Sequence, residues 1–234
     1  MNNIGQRLLN EIDLKFNDRA HYFPKLLDNP SDYLTWEDVE FCINTPQLFD
    51  IEIINHGSQK VEVDRRMTAW VKHKYVQSNK QLAYHINHGH TFVVTGYDFY
   101  KRNAQELLRI FEECFQVDCA LHAFGGKDGS KSFLAHEDYP CNFIIQVEGE
   151  TEWKVFKNRR SGLLQTGEYG EPVDDSKLDV DLHVTLTPGD AIYIPNRAYH
   201  CAYPKEKRLS LSIPCWPRQP ETPQTSDRNY YRIT

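Results

Sequence analysis

Several things are missing from this 234-residue chain. There is no run of eighteen apolar residues, and the start, Met1-Asn-Asn-Ile-Gly5, has neither the basic stretch nor the apolar core of a signal peptide. No membrane span or export is therefore expected, and the reading is a cytoplasmic protein. Positive charge is not in excess: 27 Lys+Arg stand against 33 Asp+Glu, a formal net charge of −6. That balance argues against binding nucleic acid through bulk electrostatics. The six cysteines (Cys42, Cys114, Cys119, Cys141, Cys201, Cys215) include no C-x-x-C pair. Reduced, mostly buried thiols are expected rather than a disulfide framework. The glycine-rich stretch from Gly125 to Lys131 lacks the Gly-Lys-Ser/Thr ending and following helix of a phosphate-binding loop. No internal repeat is visible.

What is present suits one well-buried domain. The composition is 40% apolar and 26% charged, and 12% aromatic residues favour a β-rich core. The first 115 residues read as a mixed, largely helical cover. Ile4, Leu8, Leu9 and Ile12 fall at helical spacing, Thr35 caps a short helix with Asp38 in its first turn, and Asn103 to Cys114 is amphipathic. Ile51–Ile54 and Lys60–Val63 alternate like strands around an Asn55-His-Gly turn. His85, His88 and His90 read as loop histidines before the strand Thr91-Phe-Val-Val-Thr95. One short segment rarely aims three imidazoles at a single point, so they are not read as ligands.

From residue 116 to 216 the character is β. Strands are expected at Val117–Phe124, His136–Val147, Thr151–Lys157, Leu182–Leu186, Ala191–Pro195 and Arg208–Ile213. Turns at Glu148-Gly149-Glu150 and Thr187-Pro-Gly-Asp190 separate them. Residues 158–182 form a polar excursion and 217–234 an extended tail. Short strands at regular spacing argue for a jelly roll or barrel.

Chemistry concentrates at His136-Glu-Asp138 and His200. Residues two apart on a strand share a face. A second histidine brought alongside would complete a two-histidine, one-carboxylate facial triad of the kind that holds Fe(II) with open positions.

The ordered set Gly89-x-Thr91-Phe-Val-Val, a helix, His136-x-Asp138, Gln146-Val-Glu-Gly149, Trp153-Lys-Val, Pro188-Gly-Asp190, Tyr193-Ile-Pro195 and His200 resembles the jumonji-C hydroxylases. The likeness is to their cupin-like branch, which includes ribosomal-protein hydroxylases, and covers roughly residues 88–216. It implies a mainly β fold, a double-stranded β-helix with a helical N-terminal segment. It also implies Fe(II) held by His136, Asp138 and His200, with 2-oxoglutarate and O2 as co-substrates. The reaction would hydroxylate a C–H bond of a protein, peptide or small molecule, with a homodimer possible. Co-substrate contacts would fall on Asn142, on the position of Thr151, on Arg208 with Ser210, and on Trp216.

Two positions depart from the pattern. Thr151 stands where the family usually has a Lys or Arg fifteen residues after the first histidine, and Phe133 where a Thr or Asn is common. A buried dicarboxylate needs a cation. Arg208, with Ser210 two residues on, is the preferred replacement, ahead of Lys154 and Arg197, because a guanidinium grips a carboxylate bidentately. The alternatives are a cupin-type metalloenzyme that does not use 2-oxoglutarate and a non-catalytic binding module.

Overall fold

The computed structural model describes residues 3–14, 18–67, 75–128, 133–159 and 173–217. In chain order the first half holds α1 (Asn3–Glu11), β1 (His21–Phe23), α2 (Trp36–Asn44), β2 (Asp50–Ile54) and β3 (Lys60–Val61). It continues with β4 (Arg65–Met67), β5 (Tyr75–Gln77), α3 (Asn79–Asn87), β6 (Thr91–Thr95) and α4 (Arg102–Phe115). The second half holds β7 (Val117–Cys119), β8 (His122–Gly126), β9 (Cys141–Glu148), β10 (Thr151–Arg159), β11 (Val180–Leu186), β12 (Ala191–Ile194), β13 (Ala198–Pro204) and β14 (Arg208–Pro217). Among the described residues no helix is long and apolar enough to cross a membrane.

The strands form a large antiparallel sheet, ordered β1-β12-β9-β14-β8-β6-β2-β3 with β7 also on β14, and a small sheet β11-β10-β13. This is the mainly β, jelly-roll architecture expected. Strict alternation sorts the central strands between two environments. On β9, Cys141, Phe143, Ile145 and Val147 enter the main core, where helical residues such as Leu8, Leu82, Leu107 and Phe111 cover them. Ile144, on the opposite face, packs with Ile192, Val155 and Leu186 between the two sheets. Phe143 anchors the helical side, with its ring 4.9 Å from that of Phe111 and 4.9 Å from that of Tyr193.

Several boundaries differ from the sequence reading for identifiable reasons. The first 115 residues are not only a cover: β1, β2, β3 and β6 extend the large sheet. The strand expected from His136 begins at Cys141 instead, because Pro140 has no N–H for the ladder. Val117–Phe124 divides into β7 and β8. His200 lies within a strand of its own, β13. The segment holding His85 is the helix α3, capped by Ser78, whose hydroxyl accepts from the Gln81 amide. The capping box at Thr35 and Asp38 forms as read. Most of the 158–182 excursion, part of the glycine-rich loop and all but the first residue of the tail lie outside the described residues.

The Pro188-Gly-Asp190 turn ties the N-terminal segment to the jelly roll. Gly189 has φ +92°, and a Cβ there would sit 2.3 Å from the Leu27 carbonyl oxygen. The buried Asp190 carboxylate accepts from the Lys25 and Thr187 amides and the Thr187 hydroxyl, at 2.8–2.9 Å. Burial alone would raise its pKa. These donors reverse the sign and hold it below the usual 3.8. Its contribution to stability is therefore present above that value and lost as pH falls through the lower folded value. Asp190→Ala should cost roughly 3 kcal/mol by stranding charged hydrogen bonds. That lowers Tm by about 6–12 °C in thermal melts at neutral pH.

Candidate metal centre

His136 and His200 face each other across an isolated antiparallel bridge. The His136 amide donates to the His200 carbonyl at 3.1 Å, and the His200 amide returns the bond at 2.9 Å. Such a pair puts both side chains on one side of the ladder. Asp138 follows outside any strand, its carbonyl accepting from the Arg197 amide at 2.9 Å. One ligating atom from each of His136, Asp138 and His200 falls within 4.8 Å of the others. His200 Nε2 lies 3.5 Å from Asp138 Oδ2, and the two imidazole centroids are 4.5 Å apart.

The donor set fits a divalent metal. His136 Nδ1 is 2.8 Å from the Leu134 carbonyl and His200 Nδ1 is 2.9 Å from the Ala198 carbonyl. Each carbonyl needs a donor, which places the proton on Nδ1 and leaves Nε2 with a free lone pair. Burial and the neighbouring His200 push the His136 pKa down to about 4, so its imidazole is neutral at neutral pH. Burial would raise Asp138. The His200 hydrogen bond, together with the charges of His200, His136 and His122, lowers it to about 2. Burial would lower His200, and the Asp138 hydrogen bond and charge raise it instead. His136 and Asp138 are thus already in ligating form, and His200 turns its Nε2 toward the same point, 3.5 Å from Asp138 Oδ2.

The three residues line a cavity of about 380 Å³ between the sheets. Its polar wall is the inner face of β14 and β9: Arg208, Ser210 and Ser212, with Asn142 opposite. Ser212 donates its hydroxyl to Asn142 Oδ1 at 3.0 Å. Arg208 is only 3% exposed, and burial lowers its pKa to about 10, so it remains a cation. The other walls are Phe124, Phe133, Ile144, Trp153 and Ala202. The Trp153 ring lies 6.2 Å from that of His200. Its buried indole N–H has no hydrogen-bond partner among the described residues, leaving a donor for a bound molecule.

Of the residues singled out in the sequence, His136, Asp138, His200, Asn142, Arg208 and Ser210 come together here. Thr151 and Trp216 are not among the lining residues. Thr151, 1% exposed, pairs with Leu186 and Pro204 at the start of β10. Trp216 pairs with Asp118 where β14 has run past the cavity onto β7. Neither Lys154 nor Arg197 lines the cavity; each stacks over a tyrosine, Tyr203 and Tyr139 respectively. Sequence reasoning missed Ser212, which the period-two series Arg208, Ser210, Ser212 contains. It also missed Trp153 as a wall and Ser58, which arrives from a turn distant in sequence.

The chain is 29% identical over 113 residues to the uncharacterised protein YxbC of Bacillus subtilis, covering 40% of this chain and 34% of that one. It is 27% identical over 119 residues to the bifunctional lysine-specific demethylase and histidyl-hydroxylase NO66 of Drosophila persimilis, covering 46% of this chain and 16% of that one. The chain thus matches about a third or less of these relatives' lengths. Among solved structures, YcfD of Escherichia coli superposes with a TM-score of 0.64 at 17% identity, covering 93% of this chain and 53% of that one. YcfD, a ribosomal oxygenase, has also been solved with cobalt and 2-oxoglutarate (TM-score 0.60, 18% identity, 93% of this chain and 52% of that one). A family model for the JmjC domain matches residues 97–222, more than half of the 234-residue sequence, and the chain belongs to the JmjC domain family.

Proposed function

We propose that this protein is an Fe(II)- and 2-oxoglutarate-dependent oxygenase that hydroxylates a C–H bond, with a protein or peptide side chain as substrate. The observation that carries the reading is the cavity itself: a two-histidine, one-carboxylate donor set and a buried arginine line one cavity. His136, Asp138 and His200 would hold the metal and leave coordination positions open. Arg208 and Ser210 would take the distal carboxylate of 2-oxoglutarate, with Asn142, Ser212 and the Trp153 indole as further polar contacts. With iron bound, the site would let one oxygen atom of O2 enter succinate and the other the substrate, with release of CO2. The chain's own part is to orient the co-substrate, keep water out with Phe124, Phe133 and Ile144, and hold the ligands by their Nδ1 contacts.

YcfD's complex with cobalt and 2-oxoglutarate supports the co-substrate. The ribosomal oxygenase title of YcfD and the histidyl-hydroxylase name of NO66 support a protein substrate. A metalloenzyme that does without 2-oxoglutarate is the second reading, and the buried Arg208 cation in the same cavity as the donor set favours the first. Purified protein supplied with Fe(II), ascorbate and 2-oxoglutarate should release succinate slowly even without substrate. Absence of succinate, together with no calorimetric binding of 2-oxoglutarate to the metal-loaded protein, would sink the proposal.

A further inference from the structure

A second histidine cluster sits outside the cavity, at the C-terminal end of α3. His85 Nδ1 and His90 Nδ1 are 3.1 Å apart with their rings stacked. His56, from the β2–β3 turn, brings its ring to 5.5 Å from that of His90. The Asp128 carboxylate reaches the same corner: its Oδ2 would be 3.1 Å from a Cβ placed on Gly89, and His56 Cε1 3.7 Å from it. His88 does not take part, since its Nδ1 meets the Tyr84 carbonyl at 2.7 Å. The segment alone therefore aims two imidazoles, not three, and the third comes from another part of the chain.

We propose that His85 and His90, with His56 and Asp128, form a second metal site that takes a borderline divalent ion, Zn²⁺ first. Two nitrogens bound tetrahedrally to zinc at about 2.05 Å stand roughly 3.3 Å apart, close to the His85–His90 separation. Two facing Nδ1 atoms at that distance must share a proton or a metal. The C-terminal end of α3 carries the negative end of the helix dipole, which favours a cation. The frame is held in place: Lys127 Nζ donates to Asn87 Oδ1 at 2.6 Å, and Asn55 Oδ1 accepts from the Gly57 and Gln59 amides. His56 is exposed and free to swing onto an ion shared by the inner pair.

The site would act on the catalytic cavity through one turn. Ser58, two residues after His56, lines the cavity, and its hydroxyl accepts from the Leu134 amide at 2.7 Å. A metal gripping His56 would order that turn and so the cavity rim.

The test uses the full-length chain, stripped of metal and equilibrated with Zn²⁺ alone. Bound metal is counted by mass spectrometry and followed by thermal melts. A His136→Ala/His200→Ala protein should retain one Zn²⁺ and still gain Tm from it. Adding His85→Ala/His90→Ala should remove both the ion and the gain, and His56→Ala should weaken binding at least tenfold. If the alanine pair prevents folding, His85→Gln/His90→Gln should give the same loss. No zinc on the His136→Ala/His200→Ala protein, or uptake unchanged when His85 and His90 are replaced, would overturn the proposal. Because these readouts need no turnover, failure here leaves the oxygenase reading untouched.

Discussion

His200→Ala is expected to abolish iron retention and succinate formation together. Loss of a group that only orients a ligand typically costs about 10–100-fold in metal affinity, and loss of the ligand itself should exceed that. His200 is well placed for such an effect. Its Nδ1 is fixed by the Ala198 carbonyl, its Nε2 faces Asp138 at 3.5 Å, and its backbone bridges His136. Asp138→Ala should do the same by removing the only carboxylate of the triad. The fold should survive, because Asp138 lies outside the ladders and its backbone bond to Arg197 does not need the side chain. A His200→Ala protein that holds stoichiometric iron at His136 and Asp138 and still turns over would contradict the assignment. Metal content by mass spectrometry and succinate release read the two effects separately.

Replacing Arg208 should separate co-substrate binding from metal binding. Truncating one member of a buried charge pair costs about 2–5 kcal/mol, which corresponds to a loss of roughly 30- to several-thousand-fold in affinity. Arg208→Met should therefore weaken 2-oxoglutarate binding on that scale while iron remains bound. In the free protein the same side chain is 3% exposed and burial lowers its pKa to about 10, so it meets the co-substrate as a cation. Arg208→Lys keeps the charge but loses the planar fork, and its affinity should fall between the two. Calorimetry with 2-oxoglutarate and iron content on the same samples test both halves. Unchanged affinity in Arg208→Met would move the co-substrate anchor elsewhere in the cavity.

Much of this site was legible in the sequence because its signals are local or periodic. The His136-x-Asp138 spacing, the Pro188-Gly-Asp190 turn and the alternating Arg208 and Ser210 each express a rule of two or of turn chemistry. The rule of two also contains Ser212, which was missed. The strand that was expected to carry His136 does not reach it, since Pro140 interrupts the ladder; a cross-strand bridge to His200 replaces it. That bridge joins residues sixty-four apart and left no trace in composition. The same holds for Ser58 and His56, which a turn brings in from the first quarter of the chain. Thr151 shows the opposite limit. It stands where the family usually has a Lys or Arg, and it pairs with Leu186 and Pro204 rather than lining the cavity. Helix α3 went unread because histidine and asparagine are poor helix formers. The Ser78 cap and the burial of Leu82 and Ile86 outweigh that preference.

The most direct test of the central claim is a crystal structure of the full chain grown without oxygen, with Mn²⁺ in place of iron and 2-oxoglutarate added. The account predicts the metal on His136, Asp138 and His200, the 2-oxo acid end of the co-substrate on the metal, and the distal carboxylate on the Arg208 guanidinium. Metal bound away from those three residues, or a co-substrate whose distal carboxylate ignores Arg208, would contradict it.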